Sequence, residues 1–167
     1  MDFEQYLDKQ PTIAPTARIF ANATLSGDIT IGDHVNIWFN ASLRGDMAPI
    51  TIGSGTNIQD NAVVHTNTNL PTHIGKNCTV GHGAIIHACT IEDDCLIGMG
   101  SIILDGAHVE KGALVGAGTL VPPGKIVPAG SLVIGNPMRV IRQLTDDEIQ
   151  HMKQNKDYYI KLMNEYK

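Results

Sequence analysis

The sequence predicts an all-β fold, a parallel β-helix built from hexapeptide repeats, with one C-terminal α-helix. Two observations predict the β-helix: an aliphatic residue recurs every six positions, and a small or β-branched residue usually follows four places later. A third predicts the helix, because a helical pattern replaces the repeat near the C terminus. An ordinary β-sandwich would show alternation with period two, which does not persist along this chain.

The first and last parts of the chain keep the six-residue period without interruption. The anchors of the first run are Ile13, Ile19, Leu25, Ile31, Ile37 and Leu43, and those of the last run are Ile91, Ile97, Ile103, Val109, Val115, Val121, Val127 and Val133. Because every anchor is aliphatic, we expect the anchors to point into a triangular prism. Small residues would fill its corners, and Gly or Asn would form the tight turns. Three hexads would complete one coil, and coils would stack at ~4.8 Å.

The middle of the chain keeps the repeat but changes its phase three times. Its anchors are Ile52, Ile58, Val64, Ile74, Val80 and Ile86. Two changes are insertions, across 44–51 and 65–73, and the third is a single-residue deletion before Ile91. We expect each change to lie at a corner of the prism and to leave the hexad count unaltered.

The repeat stops at the turn signal GNP (135–137). Thr145, with Glu148 three places later, forms a capping box that opens a helix. Apolar residues from Ile149 to Tyr166 fall mainly on one helical face. We therefore expect a β-helix over 1–142 and a helical segment over 143–167 packed on it, on its own subunit or on a neighbouring one.

Composition restricts the classes of partner. The formal net charge is −5 and the sequence has no run of Lys or Arg, which argues against nucleic acid or an anionic membrane. No apolar stretch approaches the ~18 residues of a membrane span, and the polar N terminus is unlike a secretory signal. The cysteines Cys78, Cys89 and Cys95 are odd in number and lack CxxC spacing. We expect a cytoplasmic protein in which they are reduced core residues.

The period also indicates where two histidines point. The anchors three hexads apart, from Leu43 onward, should occupy one face on successive coils. Arg44, His65 and His87 directly follow these anchors and should form an outward column. The two histidines would then lie about one strand spacing apart, close enough to share an ion.

His82 belongs to a different column, because it lies two places after its anchor on the preceding face, as Asp60 does one coil earlier. A three-fold assembly would bring the first face of one subunit against the second face of the next. The implied site takes His65 and His87 from one chain and His82 from its neighbour. Arg44 would then approach Asp60 of the neighbouring chain as an ion pair.

Three neutral imidazoles suit zinc or another borderline divalent ion and leave a fourth position open. Such an ion lowers the pKa of bound water to about 7, so hydroxide forms at neutral pH. A single surface histidine would more often be satisfied by hydrogen bonds alone, but here two stack and a third faces them. No metal role is expected for the histidines without such partners, which are His34, His73, His108 and His151.

Five segments carry a family resemblance. They are RGD (44–46), NIQD (57–60), VGHGAIIH (80–87), GMGSIILDGA (98–107) and GNPMRVIR (135–142). Together they resemble the gamma-class carbonic anhydrase family, in particular its short bacterial gamma-carbonic-anhydrase-like branch. The resemblance implies a left-handed β-helix, a homotrimer and one metal ion per subunit interface, Zn²⁺ or alternatively Fe²⁺ or Co²⁺. The implied reaction is the reversible hydration of CO2 to bicarbonate by a metal-bound hydroxide.

The resemblance also implies roles for individual residues. His65, His82 and His87 match the metal ligands, and Arg44 and Asp60 match the intersubunit ion pair, with Asp46 in the same polar cluster. Gln59 matches the side chain that orients the hydroxide, and Asn57 matches a neighbouring polar position. Tyr159, on the C-terminal helix, is similar to a tyrosine that reaches the site in related members.

Two departures from the family pattern keep other functions open. Residues 66–73 (TNTNLPTH) contain no carboxylate, whereas the founding type carries a proton-shuttling glutamate in its acidic loop. Tyr158 stands where related members place an Asn. We therefore expect slower proton removal, for which His73 is a weaker replacement candidate. The alternatives are an acyl-CoA thioesterase or acyltransferase-related protein, and a catalytically weak metal-binding trimeric module.

Overall fold

A computed structural model describes residues 4–166, in which nineteen short strands are followed by one long helix. The strands are β1 (Thr12–Ile13), β2 (Arg18–Ile19), β3 (Thr24–Ile31), β4 (Asn36–Ile37), β5 (Ser42–Ile52), β6 (Asn57–Ile58), β7 (Val63–His65), β8 (Thr72–Ile74), β9 (Thr79–Val80), β10 (Ile85–His87), β11 (Thr90–Ile91), β12 (Leu96–Ile97), β13 (Ile102–Ile103), β14 (His108–Val109), β15 (Leu114–Val115), β16 (Leu120–Val121), β17 (Ile126–Val127), β18 (Ser131–Ile134) and β19 (Arg139–Gln143). The helix α1 spans Asp146–Glu165.

These strands form the three faces of a parallel solenoid of about 7 turns. The first face contains β7, β10, β13 and β16, and the third contains β1, β8, β11, β14 and β17. The long strands β3 and β5 run from the first face onto the third, so both belong to one sheet. The second face is a separate sheet of β2, β4, β6, β9, β12, β15, β18 and β19, in which only the last pair is antiparallel. The predicted fold class, a hexapeptide-repeat β-helix with a C-terminal helix, is confirmed.

The aliphatic anchors form the core of the prism. Every anchor from Leu25 to Val133 is at most 2% exposed. Small side chains such as Ala41, Ala62 and Ala84 are buried at the corners between them. Burying one Val, Leu or Ile contributes roughly 1.5–3 kcal/mol, so the stacked columns supply most of the driving force for folding.

All three changes of phase lie at one edge of the prism, between the first and third faces. The insertion across 44–51 lies within β5, the one across 65–73 joins β7 to β8, and the deletion lies between β10 and β11. At the deletion Ala88 takes a φ of 48°. The hexad count is preserved, because Leu43 pairs with Val64 and Val64 pairs with Ile86.

The edge between the second and first faces shows why Asn and Gly recur at one position of the repeat. Asn40, Asn61, Gly83 and Gly100 occupy the same turn position on successive coils, with φ of 59°, 59°, 66° and 65°. Only Gly, and to a lesser degree Asn, adopts this left-handed conformation at low cost.

Helix α1 lies along the second face of its own chain, beside β4, β6 and β9. Thr145 and Glu148 form the predicted capping box at its start. At its other end the Arg18 guanidinium donates hydrogen bonds to the backbone oxygens of Met163 and Tyr166, at 3.1 and 2.7 Å. Trp38 stacks on Phe20 with ring centroids 4.2 Å apart, in a cluster that buries Met163. The helix therefore runs back toward the N-terminal coils.

The three cysteines are buried and free of disulfides. Burial raises the pKa of the Cys89 thiol to about 12, so this side chain stays protonated. Their predicted place in the core is confirmed. Within residues 4–166 no helix is long and apolar enough to cross a membrane.

Candidate metal centre

His65 and His87 end neighbouring strands on the first face. β7 and β10 pair in register, so His65 lies opposite His87, and Arg44 of β5 lies opposite His65 on the preceding coil. This is the column that the hexad count predicts. His65 Nδ1 and His87 Nε2 are 3.1 Å apart, and both rings are half-buried.

A carboxylate holds the other nitrogen of each ring. Asp46 Oδ1 lies 3.1 Å from His65 Nε2, and Asp105 Oδ1 lies 2.5 Å from His87 Nδ1. Burial raises the pKa of Asp46, but hydrogen bonds from His65 and Arg44 outweigh it, so its pKa lies below the ordinary value. Hydrogen bonds from Asn67 and His87 lower the pKa of Asp105. Both carboxyl groups are therefore ionised at neutral pH.

His82 lies on the second face, two residues after β9. Its Nδ1 is 2.9 Å from Asp60 Oδ2, and its Nε2 is 3.4 Å from the Tyr159 hydroxyl. Over residues 4–166 no group of three His, Cys, Asp or Glu side chains is close enough to hold one metal ion. A single chain thus brings His65 and His87 together, and it places His82 with Asp60 and Tyr159.

The remaining polar residues divide between these two groups. Arg44 pairs with Asp46 of its own chain, while Asp60 pairs with His82. The Arg44–Asp60 pair expected between subunits stays a prediction. Gln59 is 4% exposed, and its Nε2 donates to Asn57 Oδ1 at 3.0 Å.

A cavity of about 370 Å³ opens beside His82. Gln59, His82 and Tyr159 form its polar wall, while Met99 and Ala117 are among its apolar lining. Burial, followed by the charge of Asp60, raises the pKa of Tyr159, so its hydroxyl keeps its proton at neutral pH. Gln59, His82 and Tyr159, the candidate residues of the second face, therefore line one cavity.

The donor set fits a tetrahedral metal ion. Two nitrogens that each lie ~2.0–2.1 Å from such an ion are about 3.3 Å apart. The distance between His65 Nδ1 and His87 Nε2, 3.1 Å, is close to this value. Histidine ligands also usually donate their other N–H to a carboxylate, as all three do here.

Sequence reasoning missed Asp105 and its partner Asn67. Asp105 lies two residues after Ile103, the first-face anchor that pairs with Ile86. Its side chain therefore reaches back to His87 from the next coil, and Asn67 Nδ2 donates to its Oδ2 at 2.7 Å. The sequence signal for this carboxylate is its position two residues after an anchor, the same position that His82 and Asp60 occupy after theirs.

The histidines expected to have no metal role lie elsewhere. His73 is on the third face, opposite Thr51 and Thr90. His108, also on that face, is 2.7 Å from Glu92 Oε1. His73 is thus separated by an edge of the prism from His65 and His87 of its own chain.

The repeat family described as hexapeptide repeat of succinyl-transferase matches residues 89–122. A carbonic anhydrase of Geobacillus kaustophilus is 48% identical over 162 residues, covering 97% of this chain and 89% of the relative. The mitochondrial gamma carbonic anhydrase 2 of Arabidopsis thaliana is 47% identical over 161 residues, but the chain spans only 58% of its length.

A solved structure has nearly the same fold. The hexapeptide transferase family protein from Anaplasma phagocytophilum superposes with a TM-score of 0.94 at 43% identity. The match covers 98% of this chain and 96% of the other.

Proposed function

Because the chain belongs to the gamma carbonic anhydrase family, we propose that it catalyses the reversible hydration of CO2 to bicarbonate. The proposed site is shared between two subunits of a homotrimer. One observation carries the proposal: each of three histidines has one ring nitrogen held by a carboxylate, and the second nitrogens of His65 and His87 face each other at the spacing of two ligands of one ion.

The sequence placed the first face of one subunit against the second face of the next, but α1 covers the second face beside β4, β6 and β9, so the proposed assembly sets the first face against the turn after β9 that carries His82. His65 and His87 of one subunit would then meet His82 of its neighbour. Val63 and Ile85 support this choice, because they flank the histidine column and remain 40% and 37% exposed in the single chain. Contiguous apolar patches mark interaction sites, and Val63 and Ile85 are adjacent because they pair in register. Arg44 would leave Asp46 for Asp60 across this interface.

The three histidines would hold one divalent ion per interface, Zn²⁺ in the first instance and Fe²⁺ or Co²⁺ as alternatives. When bound, the metal supplies a nucleophilic hydroxide at neutral pH. Asp46, Asp60 and Asp105 hold the imidazoles in the orientation and tautomer that binding needs.

The second-face residues position the reactants. Gln59 uses one amide hydrogen on Asn57, which leaves the other for the reacting oxygen. Tyr159 keeps its proton and lies beside His82, so it can donate a hydrogen bond to substrate oxygen. Gln59 would hold the attacking hydroxide through this N–H, and both donors would stabilise the negative charge that develops on the reacting oxygens.

Two alternatives have weaker support. The transferase name of the Anaplasma structure gives slight support for acyl-group chemistry on coenzyme A. The absence of carboxylates from residues 66–73 favours a metal-bound module with slow turnover. Coenzyme A would raise the melting temperature only under the acyl alternative.

The first test is stopped-flow CO2 hydration with a pH indicator, on protein loaded with zinc or, anaerobically, with iron. We expect activity in the wild type and in His73→Ala, whose side chain lies on the third face. His82→Ala should lose both metal and activity while its circular dichroism remains that of a β-helix. An inactive, metal-filled wild type would contradict the proposed reaction, and full metal content in His82→Ala would contradict the shared site.

A further inference from the structure

A chain of side-chain hydrogen bonds connects Gln59 to helix α1. Gln59 Nε2 donates to Asn57 Oδ1 at 3.0 Å, and Asn57 Nδ2 donates to Thr79 Oγ1 at 2.9 Å. The Thr79 hydroxyl in turn donates to Asn155 Oδ1 at 3.2 Å. Asn57 is fully buried, and Gln59 and Thr79 are 4% and 5% exposed. Water therefore cannot easily replace these partners, and each bond restricts the next.

Backbone groups at its two ends fix the direction of this series of hydrogen bonds, and a count of donors agrees with it. A threonine hydroxyl has one hydrogen. Because Thr79 gives it to Asn155, its oxygen can only accept from Asn57. Asn57 must then turn its NH2 group toward Thr79 and its oxygen toward Gln59. Backbone groups agree at both ends, since the Cys78 oxygen accepts from Asn57 Nδ2 at 3.3 Å and the His82 N–H donates to Gln59 Oε1 at 3.2 Å.

The direction of these hydrogen bonds determines whether the Gln59 amide presents its N–H or its oxygen to the cavity. Its oxygen accepts from the His82 backbone N–H and retains one lone pair, while one amide hydrogen is donated to Asn57. The second amide hydrogen is left, so Gln59 can donate it into the cavity. With the amide reversed, it would present an acceptor, which repels a developing oxyanion.

Two residues of α1 contact the candidate site, and the series of hydrogen bonds includes one of them. Asn155 and Tyr159 are four residues apart and therefore lie on the same face of the helix. Tyr159 contacts His82 directly, whereas Asn155 contacts Thr79, whose neighbour in register is Asn57. Docking of α1 thus supports the polar wall of the cavity through two residues, Tyr159 and Asn155.

We infer that Thr79 and Asn155 are positioning residues, which hold the Gln59 amide with its N–H directed into the cavity. The effect of this orientation on CO2 hydration rests on the proposed function. The orientation itself is a property of the metal-free chain and can be measured separately.

The test compares substitutions that remove a hydrogen-bonding group with matched substitutions that keep it. Thr79→Val and Asn155→Leu remove one group each, while Thr79→Ser keeps the hydroxyl and Asn155→Asp keeps the acceptor. Gln154→Leu changes the adjacent, exposed helix position. The readouts are the side-chain amide NMR signals of Gln59 and Asn57, metal content, and kcat and KM for CO2.

We expect Thr79→Val and Asn155→Leu to shift the Gln59 amide signals while metal content stays full. Their kcat should fall by roughly tenfold at unchanged KM, less than the 10²–10³-fold loss for removing a direct oxyanion donor. Thr79→Ser, Asn155→Asp and Gln154→Leu should resemble the wild type.

The outcomes separate the two claims. Unshifted Gln59 signals in both removal variants would overturn the orientation, whatever the activity. Shifted signals with wild-type kcat would overturn its role in the reaction. If the metal-loaded wild type does not hydrate CO2, the proposed function fails, and the NMR comparison still decides whether Thr79 and Asn155 orient Gln59.

Discussion

One aspartate side chain orients each histidine of the candidate site for metal binding. Asp46, Asp60 and Asp105 each bind one ring nitrogen of a different histidine, although they come from three different coils. Such partners fix the tautomer of the imidazole and raise its basicity. Asp105 has the shortest of these contacts, at 2.5 Å to His87 Nδ1.

Replacing Asp105 should therefore weaken metal binding without affecting the fold. In Asp105→Asn the carboxylate charge is lost but the shape is kept, so we expect a roughly 10–100-fold lower metal affinity. Competition with a chromophoric chelator measures it. Asp94→Asn is the control, because Asp94 pairs with Lys111 at 3.6 Å and touches none of the three histidines. Equal affinities in the two variants would contradict the supporting role of Asp105.

Helix α1 is the element that joins the β-helix to the candidate site. Its start is held by Glu148, which accepts from the Thr145 backbone N–H and pairs with Arg142 of β19. Its end is held by Arg18 and by the aromatic cluster on the second face. Tyr159 and Asn155 are placed by these two attachments, which lie at opposite ends of the helix.

The stabilisation that Glu148 gives to the start of α1 should depend on pH. Hydrogen bonding to Arg142, then to the Thr145 backbone, lowers the pKa of Glu148 from 4.5 to about 2. Because the folded pKa is lower than the unfolded one, the stabilisation is complete above about pH 4.5 and is lost as the pH falls toward 2.

Melting curves followed by circular dichroism at helical wavelengths check this expectation. Wild type should melt above Glu148→Gln at pH 7, and the difference should shrink steadily as the pH falls below 4.5. Glu165→Gln, at the far end of the helix, should follow the wild type. A difference between wild type and Glu148→Gln that is independent of pH would contradict the assignment.

At the scale of the whole molecule, the prism separates the histidines onto two faces. His65 and His87 lie on the first face and His82 on the second, and all three are partly exposed in one chain. A rigid solenoid cannot fold one face onto another. A complete three-histidine site therefore requires contact between subunits, which makes the trimer part of the proposed chemistry.

A charge placed on the first face should thus remove both the trimer and the metal. Ile85→Lys puts a cation beside the histidine column, so we expect a folded monomer in sedimentation velocity with little bound zinc. Ile126→Lys is the matched control, because Ile126 is 58% exposed and lies on the third face. A metal-filled trimer in Ile85→Lys would contradict the proposed interface.

The six-residue period predicted most of the backbone structure, including the register of the strands. The spacing of the anchors was sufficient to place His65 opposite His87 and Asp60 beside His82, even across the insertion at 65–73. Only one arrangement of hexads buries every aliphatic anchor, so the register follows from the sequence. The prediction was less complete for side chains, since it tracked positions next to the anchors and overlooked Asp105.

The amino-acid sequence by itself determined the β-helix, its register, the two histidine columns and the capped helix, because each depends on local spacing and on burial of regularly placed aliphatic residues. Only the tertiary structure decided which carboxylates hold His65 and His87, where α1 lies, and how Thr79 and Asn155 connect to Gln59. These contacts join residues 18 to 148 positions apart through particular side-chain orientations. No short-range pattern encodes such orientations, since they arise from packing between surfaces that meet only in the folded chain.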